Sequence, residues 1–374
     1  MSGIYVHIPF CSKACHYCDF HFSTKLDNIS PLIEALKKES STRKNYLKEK
    51  TVESIYFGGG TPSLLKTDQL KSILETLYQN HLISSNVEIT LEANPDDLSE
   101  KKIKELISCG INRLSIGIQS LISEELIWMN RTHSAKQGIE SIKLAKDSGI
   151  NNITIDLIYG SKYQTLNSWQ ETLAKICNTG VNHLSCYQLT IESKTVLGHR
   201  FSKNIEALPD EDFISDQFKY LMKWSEESGF EQYEISNFAK NGAYSIHNSS
   251  YWLGKEYLGL GPSAHSYNGN SRQWNISNNN TYISSINNNQ DFFEMEHLDE
   301  KTKMNEYILT KLRTKWGLNY DEIKINFPNY YEQLIRKINS EIKSENLILK
   351  EEKKVILTMQ GKLLADFVSK NLFF

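Results

Sequence analysis

The chain has 374 residues, 39% of them hydrophobic and 23% charged, with a net charge of −3, a balance that suits a globular protein of two domains or one large barrel with an appendage. That charge argues against a general affinity for nucleic acid or an anionic membrane, and no apolar run approaches the roughly 18–20 residues of a membrane span. Strand-like sequence begins almost at Met1 and leaves no room for a signal peptide, so a cytoplasmic protein is expected.

In chain order, the first strand-like run is Ile4–Pro9, which leads directly into three cysteines at C-x3-C-x2-C spacing, Cys11, Cys15 and Cys18. Further runs follow at Ser54–Phe57, Val87–Glu92, Arg113–Gly117, Asn152–Ile158 and His183–Leu189. Helical patterns separate them at Ser30–Tyr46, Asp68–Asn80, Ser99–Ser108, Ser134–Ser148 and Ser168–Asn178. Such alternation makes βα units and a parallel sheet. One continuous rhythm of six units predicts an α/β fold of the open or partial (β/α)6 type, TIM-like, rather than a doubly wound sheet. In such barrels chemistry gathers at the carboxyl ends of the strands. Those ends hold the three cysteines, Gly58-Gly59-Gly60-Thr61-Pro62, Glu92-Ala93-Asn94-Pro95, Gly117-Ile118-Gln119-Ser120, Asp156-Leu157-Ile158-Tyr159-Gly160 and Gln188-Leu189-Thr190.

A helix is predicted over Asp210–Ser228, and Tyr233–Ser266, rich in Tyr, Trp, Gly and His, reads as irregular β structure. The asparagine-rich Asn275–Asn289 reads as a surface excursion at a domain boundary. From about Leu298 three helices, a small hairpin (Leu347–Leu349 and Val355–Leu357) and a last helix suggest a winged-helix-like α+β domain. Its charge is mixed, with Glu341, Glu345, Glu351 and Glu352 beside its lysines, so an accessory packing role is expected rather than DNA binding. The expected division is a barrel over 1–230, an irregular aromatic segment over 231–297 and a C-terminal domain over 298–374.

Six cysteines in a chain that is neither small nor secreted-looking do not read as a disulfide framework. Cys109, Cys177 and Cys186 stand alone and read as buried structural thiols. Three thiols on one loop suit zinc or an iron–sulfur cluster. Zinc would take His16 or His21 as a fourth ligand, but no second Cys or His pair follows to complete a structural site. A [4Fe–4S] cluster on three cysteines leaves one iron open to a substrate or cofactor. In the glycine loop, residues without Cβ let backbone amides approach a ligand, and Thr61 with Pro62 forms an N-cap and N1 pair. No Lys-Ser/Thr follows and G-x-G-x-x-G does not fit, so the loop is not a nucleotide phosphate cradle of those kinds.

Together, Tyr5-Val6-His7-Ile8-Pro9-Phe10-Cys11-x3-Cys15-x2-Cys18, the Gly-Gly-Gly-Thr-Pro loop, the stretch from Asn112 to Ser120, Asp156–Gly160 and Gly259–Ser266 resemble the radical SAM family of oxygen-independent coproporphyrinogen III oxidases and their heme-chaperone relatives. The resemblance runs from Ile4 to about Ser266. It implies a [4Fe–4S] cluster on Cys11, Cys15 and Cys18, with S-adenosylmethionine on the open iron. It further implies a cofactor pocket lined by Tyr5, Tyr17, Gly59, Gly60, Thr61, Glu92, Gln119, Arg131, Asp156, Thr190 and His265. Arg131 would meet the cofactor's carboxylate, Glu92 its ammonium and Asp156 its ribose. Taken singly, Arg131 and Glu92 would read as surface ion pairs and Asp156 as a helix cap. The family usually continues Tyr-Gly with Leu-Pro before Gln-Thr, whereas Ser161-Lys162-Tyr163 stand here, so the shape of that pocket-bordering loop is expected to differ.

The family's two branches differ in kind. One is an enzyme that decarboxylates coproporphyrinogen propionates through a substrate radical; the other binds heme and delivers it to proteins such as respiratory enzymes. The oxidases resemble C-x3-C-x2-C-x-C, but Phe20 holds the last position here, as in the chaperone branch. They also carry a substantial segment ahead of the first strand, where this sequence has Met1-Ser2-Gly3. His247-Asn248-Ser249-Ser250-Tyr251-Trp252 resembles the chaperones' H-N-x-x-Y-W heme signature. Imidazole is a common axial ligand to heme iron, and Tyr251 and Trp252 offer flat faces to a porphyrin. In isolation the motif would read as a surface histidine before an aromatic strand. The expectation is a heme chaperone without coproporphyrinogen dehydrogenase activity, binding the cluster, S-adenosylmethionine and heme. Its expected partners are heme-accepting proteins, membrane respiratory enzymes among them, with no nucleic acid and a homodimer as a possible assembly. The oxidase is the alternative.

Overall fold

Alternating apolar and inward polar positions build the first half of the chain into a curved parallel sheet. The computed structural model describes residues 2–203, 205–207, 210–350 and 353–374; Glu351 and Glu352 lie outside the described residues. Strands β1 (Ser2–Ile8), β2 (Thr51–Gly59), β3 (Leu82–Ala93), β4 (Arg113–Gln119), β5 (Asn152–Tyr159) and β6 (His183–Gln188) pair in that order, all parallel. Ile4, Val6 and Ile8 on β1, Ile55 and Phe57 on β2 and Leu114 and Ile116 on β4 are fully buried, as strands covered on both faces require.

The covering helices are α1 (Ile29–Thr42), α2 (Thr67–Asn80), α3 (Glu100–Ser108), α4 (Ser123–Trp128), α5 (Ala135–Asp147) and α6 (Leu166–Asn178), followed by α7 (Val196–Ser202) and α8 (Glu211–Glu227). Several begin where the sequence places a cap. Ser134 and Thr165 accept from the N–H groups of Gln137 and Ser168, and Asp210 accepts from Phe213, satisfying donors that a helix start leaves open. Of the lone cysteines, Cys186 is buried on β6, while Cys109 and Cys177 are half-buried against the same core.

Residues 231–297 extend this sheet on both edges instead of forming a unit between domains. At one edge β7 (Glu231–Glu234) and β8 (Asn237–Ala239) pair beyond β6. At the other, β9 (Glu256–Leu260) runs parallel to β1, and β10 (His265–Tyr267), β11 (Ser271–Asn275) and β12 (Phe293–His297) continue outward. The strand order is β12-β11-β10-β9-β1-β2-β3-β4-β5-β6-β8-β7.

Two helices stand where the sequence suggested otherwise. The H-N-x-x-Y-W motif forms α9 (Ile246–Trp252) inside the stretch expected as irregular β. The asparagine run forms α10 (Asn279–Asn287), capped by Asn278. Tyr282 and Ile286, one turn apart on α10, are buried against the barrel core, and the Tyr282 hydroxyl donates to Glu39 of α1. A run that looks like a loop is a helix because two apolar residues at i and i+4 find a partner surface.

The C-terminal domain comprises α11 (Glu300–Leu312), β13 (Leu318–Asn319), α12 (Tyr320–Asn326), α13 (Tyr331–Lys343), β14 (Leu347–Lys350), β15 (Lys354–Leu357), α14 (Met359–Leu363) and α15 (Ala365–Leu372). Its sheet has the order β13-β15-β14, over a separate core of Met304, Ile308, Leu334, Ile338, Val355 and Val368. Ile235 packs on both cores, and Arg313 bonds the buried Glu234 of β7 at 3.2 Å. Among the described residues no helix is long and apolar enough to cross a membrane.

Candidate functional site

The ends of β1 to β6 surround a cavity of about 570 Å³. Its mouth carries the cysteine loop, held at its base by the Cys11 N–H to Ser23 O bond (3.1 Å) and the Ser23 N–H to Pro9 O bond (2.8 Å). Cys11, Cys15 and Cys18 are free, half-buried thiols that line this cavity. The two histidines that would complete a zinc site turn elsewhere. His16 Nδ1 bonds Trp128 O at 2.7 Å, and His21 Nε2 bonds Asn279 of α10 at 2.7 Å. Among the described residues no three His, Cys, Asp or Glu side chains converge on a point that would hold one metal ion. Three thiols without a protein fourth ligand suit a multi-iron cluster that takes one sulfur per iron.

Arg131 stands beside them. Its Nη1 donates to Cys15 Sγ (3.3 Å) and its Nη2 to Asn94 Oδ1 (2.6 Å) and Gly117 O (2.7 Å), while its buried Nε–H has no partner. A buried donor left open is costly unless a ligand satisfies it. Burial pushes the Cys11 and Cys18 thiols up from their ordinary value, and the nearby Arg131 charge offsets part of that rise. In donor set and unmet donor, the site fits the cluster and the carboxylate-bearing cofactor that the resemblance implies.

The glycine loop after β2 lies against the end of β1. Gly60 N–H bonds Ile8 O (3.0 Å) and Thr61 N–H bonds Phe10 O (2.7 Å), immediately before Cys11. A Cβ on Gly60 would sit 2.6–2.8 Å from Phe10 O, Phe10 N and Ile8 O, all backbone atoms. Gly59 has φ +105°, which glycine adopts without strain, and its N–H donates to Glu92 Oε2 at 3.1 Å. Thr61 and Pro62 take the expected N-cap and N1 positions, of a single 3-10 turn, Pro62–Leu64, though the Thr61 hydroxyl accepts from Asn94 (3.3 Å) and makes no cap bond.

Glu92 and Asp156 face the cavity from β3 and β5. Glu92 accepts from the Tyr56 hydroxyl (2.8 Å) and Asp156 from the Ser115 hydroxyl (3.0 Å). Burial pushes the Glu92 carboxyl up to about 7; burial and then the nearby Glu92 charge push Asp156 up to about 7. Desolvation disfavours the charged form of each, and the Glu92 charge further disfavours ionisation of Asp156. Gln119 ends β4 at a bulge with φ +65°, the sort of strained backbone that collects at functional sites.

Tyr17, Gly59, Gly60, Thr61, Glu92, Gln119, Arg131, Asp156 and Thr190 thus share one cavity. Two residues expected with them lie outside its lining. Tyr5 is behind Tyr56, ring centroids 6.1 Å apart, with its hydroxyl on His7 Nδ1 (3.0 Å). His265 is exposed on β10 beside Trp274, on the far side of β9 from β1. The lining also includes Tyr56, Asn94, Ser115, Tyr187 and Asn248, none of which the sequence reading assigned to the cofactor pocket. Inward positions on the predicted strands would have pointed to Tyr56 and Ser115. Asn248, the second residue of the H-N-x-x-Y-W motif, reaches the cavity from α9.

The heme-signature residues also differ from expectation. His247 is buried: Nδ1 bonds Ser54 Oγ of β2 and Nε2 bonds the Tyr251 hydroxyl, both at 2.8 Å, and its ring lies 5.0 Å from that of Tyr56. Trp252 lies under the Arg313 guanidinium at 5.3 Å. The motif is neither a surface histidine nor the start of an aromatic strand, and both ring nitrogens are engaged. Phe20, by contrast, is 72% exposed at the cavity mouth.

The Radical SAM superfamily model matches residues 5–176. The chain is 32% identical over 371 residues to the heme chaperone HemW of Bacillus subtilis, covering 98% of each protein. It is 32% identical over 361 residues to HemW of Lactococcus lactis, covering 96% of this chain and 94% of that one. Among solved structures, the coproporphyrinogen III oxidase HemN of Escherichia coli, a radical SAM enzyme, superposes with a TM-score of 0.86 over 100% of this chain and 90% of that chain at 22% identity, a likeness of fold.

Proposed function

The chain belongs to the HemW family of the radical SAM superfamily, and on that premise we propose that it is a heme chaperone, binding heme and passing it to acceptor proteins, membrane respiratory enzymes among them. The observation that carries this reading is likeness to HemW over 98% of both chains, supported by Phe20 in place of the oxidases' fourth cysteine.

Superfamily membership implies a [4Fe–4S] cluster and S-adenosylmethionine. In this proposal Cys11, Cys15 and Cys18 would hold the cluster, which would supply one-electron reducing chemistry beside the cofactor. Arg131 directs its open Nε–H to the cofactor's carboxylate. Glu92 takes the ammonium, and Asp156 accepts from ribose hydroxyls. Gly59 and Gly60 keep side chains out of the space between the cofactor and the end of β1. His247, Tyr251 and Trp252 are assigned to heme.

Replacing His247 by alanine is expected to abolish heme binding while the iron–sulfur absorbance persists; undiminished heme binding removes this residue from the proposal. The HemN-like fold keeps porphyrinogen oxidation as the second reading. Anaerobic incubation of reconstituted protein with coproporphyrinogen III and S-adenosylmethionine is expected to yield no protoporphyrinogen, and robust formation would overturn the chaperone assignment.

A further inference from the structure

Helix α4 ends on the left-handed Asn130 (φ +62°), where the Asn130 N–H bonds Ile127 O at 3.0 Å and the Arg131 N–H bonds Leu126 O at 2.9 Å. This paired closure satisfies two of the helix's last carbonyls and turns the chain back. The next two, of Trp128 and Met129, have no partner within the helix. One residue of the cysteine loop takes both. His16 donates its ring Nδ1–H to Trp128 O at 2.7 Å and its backbone N–H to Met129 O at 3.1 Å; a carbonyl partner requires the proton on that ring nitrogen. Beside it, the Ala14 carbonyl accepts from the Asn130 side-chain amide at 2.7 Å, and the His16 carbonyl accepts from the Leu197 N–H of α7 at 3.0 Å.

The loop has little of its own to hold this shape. From Cys11 to Cys18 it is neither helix nor strand, and it closes on itself through the Cys18 N–H to Cys15 O bond at 3.3 Å. The bonds from the end of α4 fall on Ala14 and His16, the two residues that flank Cys15. The same turn carries Arg131, whose Nη1 donates to Cys15 Sγ at 3.3 Å. One stretch, 128–131, therefore sets both where Cys15 stands and where the guanidinium meets it. Neither His16 nor Asn130 lines the cavity, so each acts through Cys15 and Arg131 and not on the cofactor. Groups that hold a metal's ligands in place typically cost about 10–100-fold in affinity or activity when removed. Asparagine suits position 130 twice over, since it tolerates the left-handed backbone and carries the amide donor.

We propose that His16 and Asn130 are positioning residues for the iron–sulfur cluster. By seating the Cys15 backbone on the end of α4 they fix Cys15 relative to Arg131, and so couple the cluster to binding of the cofactor's carboxylate. This rests on the reading that Cys11, Cys15 and Cys18 hold the cluster and Arg131 receives the carboxylate.

The experiment compares anaerobically reconstituted parent with His16→Ala, His16→Asn and Asn130→Gly. It reads the electron paramagnetic resonance spectrum of the reduced cluster with and without S-adenosylmethionine, and cofactor affinity by calorimetry. Asparagine at position 16 puts an amide N–H where Nδ1 stood. Glycine at position 130 keeps the left-handed turn and removes only the donor to Ala14. His16→Ala and Asn130→Gly are expected to weaken cofactor binding about five-fold or more, with His16→Asn within about two-fold of the parent. The spectral change that the cofactor produces should shrink in the first two and persist in the third. Parental affinity and spectral change in either of the first two remove that residue's role, and in both overturn the proposal. His16→Asn as impaired as His16→Ala overturns the donor role. Should His16→Ala take up no cluster, uptake restored in His16→Asn supports that role and failure in both overturns it. A parent that builds no [4Fe–4S] spectrum, or one that survives Cys15→Ala, removes the cluster reading itself and the positioning role with it.

Discussion

Replacing Gly60 by alanine tests whether the glycine loop positions the cofactor through contact with β1. The added methyl would lie 2.6 Å from Phe10 O, 2.7 Å from Phe10 N and 2.8 Å from Ile8 O. None of these atoms can rotate away, so the loop itself must lift from β1. Lifting breaks or stretches the Gly60-to-Ile8 and Thr61-to-Phe10 bonds, each contributing about 1 kcal/mol, and overpacking adds roughly 1–3 kcal/mol. The destabilisation is therefore about 3–5 kcal/mol. It falls next to Cys11 and moves the Gly59 N–H that holds Glu92. S-adenosylmethionine binding to cluster-loaded protein, followed by calorimetry, is expected to weaken by about ten-fold or more, with a lowered thermal midpoint. Gly149→Ala is the control: φ is +105° but no atom lies within 4 Å. It should cost about 1–2 kcal/mol of backbone strain and leave cofactor binding intact. Cofactor affinity in Gly60→Ala within about two-fold of the parent would refute the steric account.

Glu92 and Asp156, both raised to about 7, favour the unliganded fold while protonated. Their stabilising contribution is complete below their unfolded values near pH 4 and is lost as pH rises through about 7; a flat stability profile across that window would contradict the assignment. An ammonium-bearing cofactor needs Glu92 ionised, so its affinity should rise between about pH 6 and about pH 8. Tyr56→Phe removes a bond that stabilises the carboxylate and should move that rise to higher pH in the same titration. Arg313→Ala strips the buried Glu234 of its cation at 3.2 Å, an expected loss of about 3 kcal/mol. Urea unfolding and limited proteolysis of the C-terminal domain read it out, and an unchanged midpoint would show that the Ser236 N–H (2.9 Å) and the Asn237 side-chain amide (2.7 Å), which also donate to Glu234, suffice to hold that charge.

Much of this protein was legible because its signals are local. The predicted strand cores fall within β1 to β6 to within a residue at their ends, since a strand buried on both faces must be apolar over its length. Ser134 and Asp210 announce helix starts because a cap acts on an amide three residues away, whereas the cap at Thr165 lies ahead of the Ser168 start read from the sequence. The cysteine spacing and the glycine run point to one cavity because every parallel strand ends on the same side of the sheet. The misplaced residues depend on distant partners. The asparagine run is helical because Tyr282 reaches Glu39, far away in sequence. His16 and His21 are turned away from the thiols by Trp128 and Asn279.

By itself, then, the sequence determined the parallel barrel, its reactive end and the donor types gathered there, through periodicity and short-range backbone chemistry. Only the tertiary structure decided that Tyr5 and His265 lie away from the cavity lining, that residues 231–297 complete the barrel's own sheet, and that His247 is tied down inside it. Whether a side chain meets solvent, a ligand or another side chain depends on what the fold brings to it from elsewhere, and for His247 that partner is Ser54, 193 positions away.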